Sequence, residues 1–177
     1  MDGATIRAVA EAETSRPRRV VIGSDMRHPV PEELALHLEE RGLSVVRCGA
    51  VGAPDMPWPK VAEQVGRLVA QGAVETGIVC CWTGTGVSIV ANKVPGVRAA
   101  LCADAETARG ARRWNEANVL ALSLRLTSAA IAEEIVDAWF EPASPDPDEA
   151  DNLRAVEVIE RRYRERGAPS GSIHADR

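Results

Sequence analysis

Short apolar runs alternate along the chain with longer segments in which apolar residues recur at helical spacing. The runs are RRVVIG (18–23), LSVVRCG (43–49), TGIVCC (76–81), VRAALC (97–102) and NVLALS (118–123). Apolar runs of this length, bounded by glycine or polar residues, predict buried strands. Regular alternation of such strands with helices predicts a parallel sheet with helices on both of its faces.

The segments between the runs carry helix signals. PEELALHLEERG (31–42) begins with proline and ends with glycine, and a polar helix is predicted from Asp104 to Trp114. A third helix is predicted from an apolar face formed by Val61, Val65, Leu68 and Val69. A fourth is predicted to begin at Thr127 as its N-cap, with Ile131, Ile135 and Trp139 along its apolar face. The fold class predicted is a single Rossmann-like three-layer α/β/α domain with a five-stranded parallel sheet and an extra C-terminal helix.

The two ends of the chain differ from this alternating region. Residues 1–16 and 168–177 lack periodicity and are predicted to be flexible tails, which leaves 17–140 as the α/β domain. Residues 141–151 form an acidic, proline-rich linker, and the linker and a charged helix together occupy 141–167. That helix carries one apolar stripe of Leu153, Val156, Ile159 and Tyr163. We expect the stripe to pack on a partner subunit, in a homodimer or a dimer of dimers.

Composition narrows the class of protein. The chain has 177 residues, 45% of them hydrophobic and 27% charged, as in ordinary soluble globular proteins. A net charge of −5 argues against a nucleic-acid-binding protein. No apolar run approaches the roughly 20 residues of a membrane span, so no membrane association is expected. The first residues lack the apolar core of a signal peptide, and a cytoplasmic location is expected.

The cysteines and histidines do not form a metal-binding pattern. There are four cysteines and three histidines, with no C-x-x-C pair and with the histidines scattered at 28, 37 and 174. Cys80 and Cys81 point to opposite faces of their strand and could hardly form a disulfide with each other. We therefore expect no metal site, no disulfide and reduced thiols.

The segment WTGTGVS (82–88) follows the third predicted strand, at the end where ligands bind in open α/β sheets. It matches neither a dinucleotide fingerprint nor a phosphate-binding loop ending in Gly-Lys-Ser/Thr. What remains is an amide-lined turn suited to an oxyanion, with Cys81 at its rim. Two interpretations stay open from spacing alone: an acid–base or nucleophilic thiol, or a buried structural cysteine beside a tight turn.

A resemblance bears on that choice. The run CWTGTGVSIVANKVPGVRAALC (81–102) closely resembles the central motif of the ribose-5-phosphate isomerase B family, which includes galactose-6-phosphate isomerase subunits. VIGSD (21–25) resembles the first strand of that family and its aspartate, and RRWNEANVLALSLRL (112–126) resembles a third family segment. The similarity extends from about Arg18 to Phe140.

The resemblance implies an aldose–ketose isomerase that works through a cis-enediol and needs no metal or cofactor. It implies that Cys81 shuttles the proton and that Thr83 and the amides of Gly84, Thr85 and Gly86 stabilise the enediolate. It further implies that Asp25 and Asn115 bind the sugar. Five other matching residues are expected to shape the structure: Ser88, Asn92, Lys93, Arg98 and Arg125.

The sequence also departs from the family at positions that carry chemistry. The ring-opening histidine aligns with Trp114, and the glycine after the cysteine is Trp82. The family's phosphate-binding C-terminal segment is replaced by the acidic PDPDEADNLR (145–154), which would repel a phosphate dianion. Trp82 and Trp114 would form an apolar wall, and Arg27 or His28 would supply the missing charge.

Three functions remain open. The first is an isomerase for a sugar other than ribose 5-phosphate, either unphosphorylated or differently phosphorylated. The second is a ribose-5-phosphate-type isomerase in which other residues replace the lost groups. The third is a non-catalytic sugar-binding subunit, or the partner in a hetero-oligomer, on the same scaffold.

Overall fold

The computed structural model describes residues 18–52, 54–141 and 144–167. The predicted tails at 1–16 and 168–177 lie outside the described residues. Five strands were found where the apolar runs predict them: β1 (Arg19–Ser24), β2 (Ser44–Gly49), β3 (Thr76–Cys81), β4 (Ala99–Leu101) and β5 (Val119–Ser123). The fourth is shorter than predicted, three residues in place of six.

The strands form one parallel sheet in the order β2-β1-β3-β5-β4. All residues of β3 and β5 are buried, because both strands lie inside the sheet and are covered on both faces. This explains why their sequences are continuous apolar runs rather than alternating patterns.

Helices cover both faces of the sheet, as predicted for this fold class. In chain order they are α1 (Pro29–Glu40), α2 (Trp58–Ala70), α3 (Thr85–Ala91), α4 (Ala105–Asn115), α5 (Ala129–Phe140) and α6 (Ala150–Gly167), with a short 3₁₀ helix at Pro147–Glu149. The apolar residues of α1, α4 and α5 form one core, and those of α2 and α3 form a second core across the sheet. The predicted three-layer arrangement is therefore confirmed.

The C-terminal helix α6 is present, as the sequence predicts, but its apolar stripe is not covered. Val156, Ile159 and Tyr163 are all exposed, while Leu153 is half-buried. The helix is tied to the domain by the N–H of Gly96, which donates to the Glu160 carboxylate at 2.7 Å.

Two details of the sequence prediction were wrong. The N-cap of α5 is Ser128, whose hydroxyl accepts from the N–H of Ile131, rather than Thr127, which is buried. Ile131 is exposed, because the buried face of α5 begins one residue later, at Ala132. At the start of α2, the Trp58 side chain is 43% exposed.

Across the described ranges, none of the helices combines the length and the apolar character needed to cross a bilayer.

Candidate active site

The candidate site lies at the carboxyl ends of the neighbouring strands β1, β3 and β5, where the chain continues into helices on opposite faces of the sheet. The helices that follow β1 and β5 pack on one face, whereas α3, which follows the intervening β3, packs on the other. A crevice is expected at the carboxyl ends of strands with this arrangement. The sequence places Asp25 directly after β1 and Cys81 at the end of β3.

Cys81 is the thiol of this crevice. Its side chain is 7% exposed, and its Sγ accepts a hydrogen bond from the N–H of Gly84 at 3.2 Å. This bond fixes the position of the sulfur at the start of the loop, where it can meet a substrate. The neighbouring Cys80 is completely buried on the opposite face, where burial raises the pKa of its thiol to about 12, with smaller contributions from the charges of Cys81 and Asp25.

The other two thiols are packing groups. Cys48 and Cys102 are buried in strands or directly after them, and burial raises the pKa of Cys102 to about 11. Within the described ranges, no group of three or more His, Cys, Asp or Glu side chains is placed to hold a metal ion.

The turn after Cys81 depends on one glycine. Gly84 has φ = +74°, a left-handed conformation that favours glycine, and a Cβ there would lie 2.5 Å from Cδ1 of Leu101. Thr83 is exposed, and its hydroxyl shares a 2.7 Å hydrogen bond with the hydroxyl of Thr85. Thr85 and Gly86 are the first two residues of α3, so their N–H groups have no acceptor within that helix. Because α3 has only seven residues, these individual amides matter more than any dipole of the helix.

Asp25 presents an unsatisfied acceptor in the crevice. Its Oδ1 is buried and has no hydrogen-bond partner within the described part of the chain. Burial raises the pKa of this carboxyl from its ordinary 3.8, against a smaller opposing effect of a backbone hydrogen bond. A buried acceptor without a partner is costly, so its position at the mouth of a crevice points to a ligand donor such as a sugar hydroxyl.

The two other residues predicted from this loop have structural contacts. His28 is the N-cap of α1, and its Nδ1 accepts from the N–H of Val30 at 3.3 Å. Arg27 points toward Asp55, at 3.4 Å between charged atoms, and both side chains are largely exposed.

Trp82 lies on the rim of the crevice with 52% of its surface exposed. Its carbonyl accepts from the hydroxyl of Ser123 at 3.1 Å and from the N–H of Arg125 at 2.9 Å. These bonds join the segment after β5 to the segment after β3. The Arg125 side chain is exposed and has no ion-pair partner among the described residues.

Arg125 was expected to be structural, and its position at this rim was missed. The signal was present, since a charged residue two positions beyond a wholly buried strand lies at the ligand-binding edge of a parallel sheet. Arg98, in contrast, has the structural role that was expected. Its guanidinium donates to the carbonyl and the carboxylate of Glu116.

Trp114 and Asn115 do not join the crevice within one chain. The helix α4 starts beyond the carboxyl end of β4 and runs back to the amino end of β5, so its last residues lie at the opposite edge of the sheet. The Trp114 ring folds back on Gly110, where a Cβ would be 2.6 Å from it. Both residues line a groove of about 470 Å³, together with Arg98, Glu149 and Leu153. The predicted wall of Trp82 and Trp114 is therefore not formed by a single chain.

Comparisons with known proteins identify the family of the chain. Residues 20–158 match the family described as Ribose/Galactose Isomerase. The chain belongs to this family. The match continues beyond Phe140 to residue 158 in α6, farther than the motifs alone suggested.

Relatives with defined names share most of the domain. The chain is 38% identical over 130 residues to ribose-5-phosphate isomerase B of Escherichia coli, covering 73% of this chain and 87% of that protein. It is 39% identical over 106 residues to D-erythrulose-4-phosphate isomerase of Pectobacterium atrosepticum, covering 59% of this chain and 70% of that protein.

Solved structures of the family have the same fold. Ribose-5-phosphate isomerase B of Clostridium thermocellum aligns with a TM-score of 0.77 and 37% identity, over 82% of this chain and 99% of that one. The five-stranded parallel α/β fold is therefore that of the family.

Proposed function

We propose that this protein is an aldose–ketose isomerase that acts on a sugar phosphate through a cis-enediol intermediate. The observation that carries the proposal is that two groups lie at the carboxyl ends of the neighbouring strands β1 and β3: a thiol that accepts an amide hydrogen bond, and a buried carboxylate oxygen that lacks a partner among the described residues. Membership of a family whose named relatives are isomerases of different sugar phosphates supports the same class of reaction.

Cys81 is the acid–base group of this reaction. Its thiolate takes the proton from C2 of the open-chain aldose, and the electrons of that bond form the C1–C2 double bond while the C1 carbonyl oxygen becomes negative. A proton then passes from the C2 hydroxyl to the C1 oxygen, and the thiol returns its proton to C1. The product is the ketose, and no atom is gained or lost.

The loop after Cys81 stabilises the charge on the intermediate. The N–H groups of Thr85 and Gly86 and the hydroxyl of Thr83 are the available donors, since the amide of Gly84 is engaged with Sγ. Donors held in place before the reaction stabilise an enediolate without the cost of reorganising at that moment. Asp25 accepts from a sugar hydroxyl through its free oxygen.

A second copy of the chain completes the site. Asn115 and Trp114 lie at the edge of the sheet opposite Cys81, so they reach a crevice only if they belong to a partner subunit. The uncovered stripe of α6 offers an apolar surface for such a homodimer. In a symmetric pair each chain would contribute one crevice and one α4 end to two equivalent sites.

The charges around the site favour a substrate other than ribose 5-phosphate. Glu149 lines the groove beside Asn115, and Asp146 is paired with Arg113 at 3.4 Å, so this end of the chain offers a phosphate little net positive charge. Arg125, at the rim near Trp82, has no ion-pair partner among the described residues and is a cation available to a phosphate. The bulk of Trp82 next to the thiol reduces the room for the sugar, relative to the glycine that the sequence motif predicts.

The test is proton exchange in heavy water with a panel of pentoses, tetroses and hexoses, each with and without phosphate. Enediol chemistry incorporates deuterium at the carbon next to the carbonyl. We expect exchange with at least one phosphorylated sugar and a loss of about 10²–10⁴-fold in Cys81→Ala, the usual contribution of a general acid–base group. Arg125→Gln should raise KM for the phosphorylated sugar and leave its unphosphorylated form unaffected.

Cys80→Ala is the matched control. It removes the neighbouring thiol, which is on the other face of β3 and outside the crevice, so exchange should persist. Absence of exchange on every sugar, with folding intact, would contradict the isomerase and favour a non-catalytic sugar-binding subunit.

A further inference from the structure

An aromatic ring lies directly on the loop that follows Cys81. A Cβ at Gly86 would be 3.1 Å from Cζ3, 3.2 Å from Cε3 and 3.5 Å from Cη2 of Trp58. The six-membered ring of this tryptophan therefore lies so close to Gly86 that a side chain there would be tightly crowded and would push the ring or the loop away. Trp58 is the first residue of α2, and Gly86 is the second residue of α3.

The close approach, and not the backbone, explains the glycine at this position. Gly86 is absent from the residues with positive φ, so its conformation is open to any amino acid. Gly86 lies in the first turn of α3, where the helix itself does not require glycine. The Trp58 ring, which a side chain at residue 86 would meet, is the feature that favours glycine there.

The helix that carries the ring is packed against the sheet. The helix α2 buries Val61 and Val65 against the sheet, where they lie close to Gly23 and Gly77 of β1 and β3. Pro57 precedes Trp58 and restricts the chain that enters the helix. On the other side of the loop, Leu101 occupies the space over Gly84. Two apolar side chains thus press on the two glycines from different elements.

We propose that Trp58 is a positioning residue that clamps the loop of residues 83–86 in its working shape. It acts through Gly86, by keeping the amides of Thr85 and Gly86 and the Gly84 N–H bond to Sγ of Cys81 in place. This inference rests on the isomerase proposed above, in which those groups stabilise the enediolate and activate the thiol. Trp58 is partly exposed, yet its function here is mechanical support and not contact with the sugar.

The first test is a double-variant cycle of Trp58→Ala and Gly86→Ala, with kinetics on the sugar that exchanges deuterium fastest. Each single variant should lower kcat by about 10-fold or more, as expected when transition-state donors are displaced, with KM changed far less. Because Trp58→Ala creates the room that an alanine at residue 86 needs, the double variant should be no worse than Trp58→Ala alone. Trp58→Phe keeps an aromatic ring over Gly86 and should recover most of kcat.

Losses that multiply in the double variant, or a change confined to KM, would overturn the clamp. A second measurement separates its failure from that of the isomerase itself: the rate at which iodoacetamide alkylates Cys81, located by mass spectrometry, with thermal melts to confirm folding. This rate should fall in Trp58→Ala, as Sγ loses its amide donor, and return in Trp58→Phe. If no sugar exchanges, the isomerase fails and alkylation alone decides on the clamp, with an unchanged rate counting against it.

Discussion

The fold holds the carboxyl group of Asp25 in a partly buried position that disfavours its charged form. Partial burial directly after β1 raises the pKa of this carboxyl. Within the described residues, its Oδ1 accepts no hydrogen bond. A group that costs stability because one of its buried oxygens has no partner is typical of binding and catalytic positions. Replacing Asp25 should therefore raise the free energy of unfolding and lower the activity.

We expect Asp25→Asn to be more stable than the natural chain at neutral pH and to lose activity. Because burial raises the pKa of Asp25 above 3.8, the folded carboxyl holds its proton more readily than the unfolded one. The unfolding free energy therefore falls as the pH rises through the acidic range above 3.8, and the penalty is fully present above the folded pKa. Thermal melts from acidic to neutral pH should show the advantage of Asp25→Asn disappearing as the solution becomes more acidic.

Asp55→Asn controls for the loss of one negative charge, since Asp55 is exposed and far less constrained. An equal gain of stability in both variants at every pH would mean that net charge, and not burial of Asp25, is responsible.

For single residues, the sequence was a better guide to which residues lie at the candidate site than to which neighbours they contact. Cys81, Asp25 and the glycine turn were found from a motif and its place after a strand, because chain order alone puts them at one edge of a parallel sheet. The exposed position of Trp58 and its contact with Gly86 could not be predicted, since they join residues of two helices. His28 was assigned to substrate by its type, whereas its Nδ1 caps α1.

Among the secondary-structure elements, the edge strand β4 has the least support from its neighbours. It has three residues and pairs on one side only, with β5. On its outer side the amide of Asn92 takes the place of a strand: Nδ2 donates to the carbonyl of Ala99, and Oδ1 accepts from its N–H, both at 2.8 Å. The same Nδ2 donates to the Ser88 carbonyl in the last turn of α3. One side chain thus ends a helix and protects a sheet edge.

We expect Asn92→Ala to lower the unfolding free energy by about 1–2 kcal/mol, the net value of hydrogen bonds that water can partly replace. Urea denaturation measures the change. Gln71→Ala is the control, because Gln71 occupies the same C-cap position on α2 and bonds there through its backbone. Equal losses in the two variants would show that the side-chain bonds to Ala99 contribute nothing measurable.

Element prediction was most successful where periodicity and burial agree. The five strands and the order of helices follow from apolar runs and breakers. The errors fall at ends, where two neighbouring hydroxyl residues competed for one cap, Thr127 and Ser128, and only geometry decides between them. The shortness of β4 has a similar origin, because hydrogen bonding to β5 alone sets its length.

In the whole molecule, the path of the chain places residues of two neighbouring family motifs at opposite edges of the sheet. The matched segments 81–102 and 112–126 are close in sequence, yet α4 carries Asn115 to the edge opposite Cys81. Sequence resemblance could assign both to one site but could not show that one chain holds them at opposite edges of its sheet. This separation makes the proposed homodimer testable without a structure of the complex.

Two inactive variants should restore activity when mixed. Cys81→Ala and Asn115→Ala damage different halves of the proposed shared site, so a mixed dimer contains one intact site and one doubly damaged site. After subunit exchange in an equal mixture, about a quarter of the natural activity should return.

Cys81→Ala mixed with Asp25→Asn provides the control. Both changes fall in the same crevice, so no arrangement of chains rebuilds a site. No recovery in the first mixture would show that each chain carries a complete site, and recovery in this control would show that Cys81 and Asp25 do not belong to the same crevice.

The path of α4 across the sheet has a kinetic consequence. If two chains must associate to build each site, the activity per chain depends on the protein concentration. Below the dissociation constant of the dimer, halving the protein concentration cuts the number of complete sites to about a quarter rather than a half. A dilution series would then show a rate that rises with the square of the protein concentration before becoming proportional to it. Expression level would set not only how much catalyst a cell holds but also what fraction of it functions.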